Sequence, residues 1–365
     1  MIHGRLGSFL LHLSVNIGLL LLGLTALELM FGNWFVSYVL PNPKLFDRKF
    51  TFQQTLYEPR STVTYVRDKY GLRGLQQPIS SVKLVTIGGS TTAQSFITEG
   101  ETWQDVIHSL TGILIANAGV DGMGSQSHAE ILEDWLHRIP GLHAKYFLHY
   151  LGVNDAPMAQ TVSVTDRRKK YSWTRRIRAR SAILQAISRI REWVEGPSFV
   201  SHSVVTPDTA RGNELIKAEV DRADIVDYVE KMYKPNLRNL LDLHQQYGKT
   251  AIFVTQPANP ALVVRKDGDV FVTKPEIARW AVALGEINAA TETVCHERPG
   301  NCRFIDLANG IPFEPSDFYD LVHNTPRGAR KVGAFLAHKL DLDAASLLPQ
   351  ESAPLQDSVS VPPRP

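Results

Sequence analysis

An α/β fold built on a parallel sheet covered on both faces is predicted by three observations. Five short apolar runs recur along the chain, helical patterns separate them, and three of the runs end in glycine-bearing polar turns. The runs are Lys83–Ile87, Ile113–Ala116, Tyr146–Leu151, Thr250–Thr255 and Arg303–Leu307. Continuous apolar stretches of this length suit strands buried on both sides. Helical patterns lie around 102–110, 126–138, 222–246, 275–293 and 326–340. Such alternation argues for a parallel sheet between helix layers. Ligands gather at the carboxyl ends of strands in sheets of this kind, where the polar turns stand.

Composition sets the outer bounds. The 365 residues are 44% apolar and 21% charged, as in an ordinary globular protein. With 39 Lys and Arg against 37 Asp and Glu, the net charge of +2 gives no global basic bias towards nucleic acid. Two cysteines are too few for a zinc site of four thiolates.

The N-terminal region departs from the average. Leu10–Met30 runs 21 residues without Lys or Arg. As a helix it is about 31 Å long, one hydrocarbon core. Glu28 lies near its end, where a carboxylate reaches the interface, and Trp34 and Tyr38 follow in the position of interfacial aromatics. No small-x-small cleavage site follows it, which favours an uncleaved anchor over a cleaved signal peptide. Lys44, Arg48 and Lys49 beyond the span slightly favour a cytoplasmic body by charge count. They sit well past the membrane end, however, and large domains translocate largely regardless of charge. A second feature weighs on the same question. Cys295 and Cys302 bracket a polar loop with Pro299 and Gly300. A turn there would join them in a disulfide, which implies an oxidising compartment; unpaired thiols are the alternative. The expectation is a single-pass membrane protein with an extracytoplasmic, periplasmic body.

The expected organisation is a short tail (1–9), an anchor (10–31), a connecting segment (32–80), the α/β domain (81–345) and a disordered Pro- and Ser-rich tail (346–365). Tyr70–Gly74 suggests an extended segment and a turn before the first strand. A basic helical insert at about 160–220 interrupts the domain. Residues 166–195 hold ten Lys/Arg and three Asp/Glu, and Trp173, Ile177, Ile183, Leu184, Ile187, Ile190 and Val194 recur at helical spacing. A basic amphipathic helix is either a solvated face packed on the sheet or a surface that meets anionic headgroups or an acidic polymer.

Four short motifs could carry chemistry. Gly88-Gly89-Ser90 ends the first run, and its glycines allow a tight turn that exposes a hydroxyl at a helix N-terminus. The sequence from Asn117 to Ser125, with Gly119 and Gly122, ends the second and lets backbone approach a ligand. Gly152-Val153-Asn154-Asp155 ends the third and offers a side-chain amide. Near the C-terminus, Asp320 and His323 are three residues apart, so a turn brings the carboxylate to the imidazole. Each motif alone also suits an ordinary turn.

Together, in this order, they resemble the SGNH hydrolase family of GDSL esterases and lipases. The likeness covers about residues 81–342: Gly88–Ser90 for block I, Gly119–Gly122 for block II, Gly152–Asp155 for block III and Asp320–His323 for block V. Block I departs from the family, with Gly89 where Asp is usual. The resemblance implies a three-layer α/β/α sandwich with a flavodoxin-like sheet. It implies Ser90 as nucleophile, His323 as base and Asp320 as its orienting partner. The oxyanion hole would comprise the N–H groups of Ser90 and Gly122 and the amide of Asn154. Asp155 would support its turn, and Asp317 is a second, less well spaced carboxylate near His323. No cofactor or metal is called for, and the remaining histidines form no obvious ligand set. The expected reaction is hydrolysis of an O-acyl ester, on an anionic or acylated cell-surface glycan or a lipid-like substrate. An acyltransferase on the same scaffold and a non-catalytic envelope binding or assembly protein are the alternatives.

Overall fold

The computed structural model describes residues 2–42, 45–74, 78–160, 173–195 and 214–341. The C-terminal tail and parts of the basic insert lie outside the described residues. In chain order the strands are β1 (Arg48–Gln53), β2 (Thr62–Arg67), β3 (Leu84–Gly88), β4 (Ile115–Asn117), β5 (Tyr146–Tyr150), β6 (Ile216–Lys217), β7 (Thr250–Val254), β8 (Val263–Lys266), β9 (Asp269–Val272) and β10 (Cys302–Ile305). The helices are α1 (Ile2–Phe31), α2 (Ser90–Ala93), α3 (Trp103–Thr111), α4 (Ser125–Asp134), α5 (Trp173–Arg180), α6 (Ala182–Glu195), α7 (Ala223–Tyr228), α8 (Lys234–Gln246), α9 (Ala278–His296), α10 (Leu307–Gly310) and α11 (Pro326–Asp341).

The five apolar runs become the central sheet, in the order β4-β3-β5-β7-β10, with every neighbouring pair parallel. Alternating side chains feed two cores. Val85, Ile87, Phe147 and Phe253 face α4, α8 and α9. Leu84, Leu148, Ile252 and Val254 face Trp103 and Ile107 of α3 and Val332 and Leu336 of α11. The result is the expected three-layer α/β/α sandwich. Counted along the chain, the sheet order is 2-1-3-4-5, so it reverses between β3 and β5. The ends of those two strands open a crevice at the switch point. Ser90 follows one and Asn154 the other.

Two elements were not expected. The 32–80 stretch is more than a connection. It places Tyr38, Leu40, Leu45 and Leu72 in the core and pairs β1 with β2 as an antiparallel hairpin. A separate antiparallel sheet, β6-β9-β8, flanks the domain. Tyr38 is therefore a core residue, its hydroxyl donating to Lys69 O at 2.9 Å, rather than an interfacial aromatic. The insert, expected as one basic helix, is two helices in its described part, broken at Ser181.

Among the described residues one helix is long and apolar enough to cross a membrane. It spans Leu10–Phe31, and none of its most apolar window is buried against the body. Its Glu28 is held by protein rather than left at an interface. The carboxylate accepts from Trp34 Nε1 (3.0 Å), Ser181 Oγ (2.5 Å), Ala182 N (2.9 Å) and Ile183 N (3.2 Å). It thereby caps α6. Elsewhere in the body Cys295 and Cys302 are joined in a disulfide with a Cα–Cα separation of 5.3 Å, tying the end of α9 to the start of β10.

Beneath the sheet lies a row of three buried histidines. His149 of β5 contacts His128 through Nδ1 (3.1 Å) and His244 through Nε2 (2.8 Å). All three are at most 1% exposed. Burial holds His128 and His244 down at about 3, and burial with its two neighbours drives His149 well below the ordinary imidazole range. The folded row therefore stays neutral where the unfolded chain would take up three protons, so stability falls as pH drops below about 6.5. Asp155 acts the other way. Burial lifts it to about 6, so the folded state holds one extra proton between there and the ordinary carboxylate value. Near pH 5 the buried histidines outweigh Asp155, so the net effect is a loss of stability as pH falls. Urea midpoints followed by tryptophan fluorescence should fall from pH 7 to pH 5. An unchanged or higher midpoint at pH 5 would refute the assignment.

Candidate active site

The first sheet strand is buried at every position and ends in two glycines, so the chain turns sharply from β3 into α2. Ser90 is the first residue of that short helix and is half-buried. Its surroundings are fixed by a polar lattice. Trp103 Nε1 donates to Thr91 O (3.1 Å), Gln104 Nε2 to Thr92 O (3.1 Å) and Asn117 Nδ2 to the same carbonyl (2.7 Å). Gly119 lies against α2 so closely that a Cβ there would stand 2.4 Å from Ala93 N. This contact explains the glycine of the second motif.

His323 stands across from Ser90. Its Nε2 is 2.7 Å from Ser90 Oγ, and its Nδ1 is 2.6 Å from Asp320 Oδ2. The other oxygen of Asp320 accepts from the His323 and Val322 backbone N–H groups, at 2.7 and 2.9 Å. The carboxylate thus fixes both the ring and the loop that carries it. With Nδ1–H directed to Asp320, Nε2 is the nitrogen able to take the serine proton. Tyr319 stacks on the imidazole at 5.5 Å with the planes 9° apart, and Tyr57 stacks on Tyr319 at 5.9 Å. Burial, with Asp320 and Asp121 nearby, pushes the Tyr319 phenol well above its ordinary range. It is a neutral wall, not an acid–base group.

Asn154 completes the polar side of the crevice. Its Nδ2 donates one hydrogen to Met123 O at 2.9 Å. An amide has two such hydrogens, so the second remains for a substrate oxygen. The same nitrogen lies 1.9 Å from where a Cβ on Gly89 would stand. A side chain at position 89 would therefore require the Asn154 amide to shift from its present place. Gly122 adopts φ +78° with no atom within 4 Å of a notional Cβ, so this corner of the second motif is open. Asp155 points away from the crevice and accepts from Ser125 N (3.0 Å), Ser125 Oγ (2.7 Å) and Tyr228 Oη (3.2 Å). It caps α4 and locks the second and third motifs together. Asp317 is fully buried and pairs with Lys331 at 2.7 Å and Arg327 at 3.4 Å. Its charge is already committed, and Asp320 is the carboxylate on His323.

Three supports went unnoticed in the sequence. Gln256, after β7, donates from Nε2 to Thr91 Oγ1 (2.7 Å) and accepts from Val153 N (2.7 Å), spanning the Ser90 and Asn154 loops. Arg73 is buried and donates to the carbonyls of Ala93, Gln94 and Ile97, while its Nε pairs with Glu99 at 2.7 Å. Arg67 donates to Gly119 O at 2.6 Å. The only hint was an arginine inside the Tyr70–Gly74 turn. Among the described residues no cluster of His, Cys, Asp or Glu could hold a metal ion.

No family model and no curated protein matches the chain. Solved structures do. A member of the lipolytic protein G-D-S-L family from Veillonella parvula is 15% identical, covers 71% of this chain and 97% of its own, with a TM-score of 0.40. An extracellular lipase from Streptomyces rimosus is 13% identical over 71% of this chain and 98% of its own, TM-score 0.41. A family 3 carbohydrate esterase from Clostridium thermocellum is 11% identical over 73% and 98%, TM-score 0.40. What the crevice can do follows from its own geometry: a serine hydroxyl, an oriented imidazole and a buried carboxylate in hydrogen-bonded series, beside an anchored amide donor.

Proposed function

We propose that the chain is a membrane-anchored serine esterase of the SGNH type. The observation that carries this reading is the continuous series Asp320–His323–Ser90, with both side-chain contacts at 2.6–2.7 Å. Ser90 Oγ attacks the acyl carbonyl carbon as His323 Nε2 takes its proton. The carbonyl oxygen becomes an anion facing the Ser90 and Gly122 N–H groups and the free hydrogen of Asn154 Nδ2. Collapse expels the alcohol, which receives the proton from His323, and leaves an acyl group on Ser90. Water attacks next, His323 accepts its proton, and the acid departs with Ser90 restored.

The Leu10–Phe31 helix serves as the anchor in this reading. The Cys295–Cys302 disulfide supports an extracytoplasmic body, because such bonds persist in oxidising compartments. An O-acyl ester on a cell-surface glycan or lipid-like molecule is the substrate class that fits this location. The basic insert favours an anionic one.

Labelling of the full chain by a fluorophosphonate probe tests the core of the proposal. Wild type should label, and both Ser90→Ala and His323→Ala should not. A folded wild type that takes no label would overturn the assignment of Ser90 as an activated nucleophile.

A further inference from the structure

A helix on the surface of a soluble domain turns its apolar stripe inward. In α6 the arrangement is reversed. Leu184, Ile187, Ile190, Trp193 and Val194 are 40%, 56%, 62%, 86% and 69% exposed. Gln185 and Ser188, on the opposite side, are half-buried, and Gln185 Nε2 donates to Ala179 O at 2.9 Å. The polar side of the helix thus bonds back to α5, and a largely apolar face, with Arg191 among its residues, points outward.

The position of α6 says what covers that face. Its N-terminus is capped by Glu28, a residue of the last turn of the apolar helix α1, and Asn33 N donates to Arg180 O at 2.8 Å just beyond. The start of α6 is thus pinned to the end of the candidate membrane span. Phe35, 83% exposed, adds to the same apolar level. Arg178 and Arg189 are exposed nearby, with the Arg189 guanidinium 5.8 Å from the Phe46 ring. Cations around an apolar helical face are suited to anionic phospholipid headgroups above an acyl boundary.

We propose that α6 is an interfacial helix of the same bilayer that α1 crosses, with its Ile187–Val194 face seated at the headgroup–acyl boundary. The inference rests on the reading of α1 as a membrane span. It adds a second point of contact, which would hold the catalytic body in a set orientation against the membrane instead of leaving it on a flexible tether.

The test uses the full chain in vesicles of phosphatidylcholine and phosphatidylglycerol carrying bromine near the glycerol end of the acyl chains. Trp193 emission is taken as wild type minus Trp193→Phe. Quenching of at least about twofold is expected, as for a side chain at the acyl boundary. Ile187→Glu combined with Ile190→Glu should abolish the quenching yet leave fluorophosphonate labelling intact, since both side chains are exposed and neither belongs to the catalytic series. Unquenched Trp193 overturns the inference, and a face covered by a second protein would give that result. Alkaline washing judges the span separately. A chain that stays with the vesicles while Trp193 is unquenched keeps α1 as an anchor and removes α6 from the membrane. A chain that washes off although Trp193 was quenched keeps α6 as the membrane contact and removes the span.

Discussion

Ser90→Ala or His323→Ala should each lower ester turnover by about 10⁶-fold, and the double variant should lose little more. The non-additivity follows from the geometry. In the proposed mechanism Ser90 Oγ is activated through His323 Nε2, 2.7 Å away, so removing either ends the same proton transfer. Asp320→Asn should cost about 10⁴-fold, because an amide facing Nδ1 favours the tautomer with its proton on Nε2, where a base is needed. Asp317→Asn tests the assignment by contrast. That carboxylate is spent on Lys331 and Arg327, and its replacement should appear in the urea midpoint while turnover changes little. Single-turnover rates with a soluble aryl ester measure all five variants. An Asp317 variant as inactive as the Asp320 variant would sink the assignment, as would a Ser90→Ala enzyme near wild-type rate.

What the sequence disclosed and what it hid have separate physical causes. The five strands were legible because a strand covered on both faces must be apolar throughout, and KLVTI, YFLHYL and TAIFVT leave few other options. The triad was legible because Asp320 and His323 are local and Ser90 sits on a glycine turn. Residues acting through long-range contacts were not. Arg67 reaches Gly119 across 52 positions and Gln256 reaches Thr91 across 165, and no local pattern marks either. The hairpin β1–β2 buries only one face, so its strands alternate in burial and lack the continuous apolar run of the sheet strands, and Arg67 puts a charge on the buried side. Tyr38 misled for a related reason. An aromatic just past an apolar helix suits a membrane interface and a domain core equally well, and only the fold around it decides.

Asn154→Ala should lower turnover by about 10²–10³-fold, or about 2.7–4 kcal/mol of transition-state stabilisation, with the urea midpoint nearly unchanged. The amide is anchored by a single hydrogen bond to Met123 O, so its loss removes little from the fold. Gly89 makes the stronger test, because it touches no substrate in this mechanism. A methyl at position 89 would overlap Asn154 Nδ2, at 1.9 Å, and must push the amide off its present place. Gly89→Ala should therefore reproduce most of the Asn154→Ala loss in kcat. Placed in an Asn154→Ala background, the same substitution should cost little further, because the group it displaces is already gone. Full additivity of the two would mean that position 89 acts on Ser90 directly. The cycle thereby separates an effect of position 89 through the Asn154 amide from one on Ser90 itself.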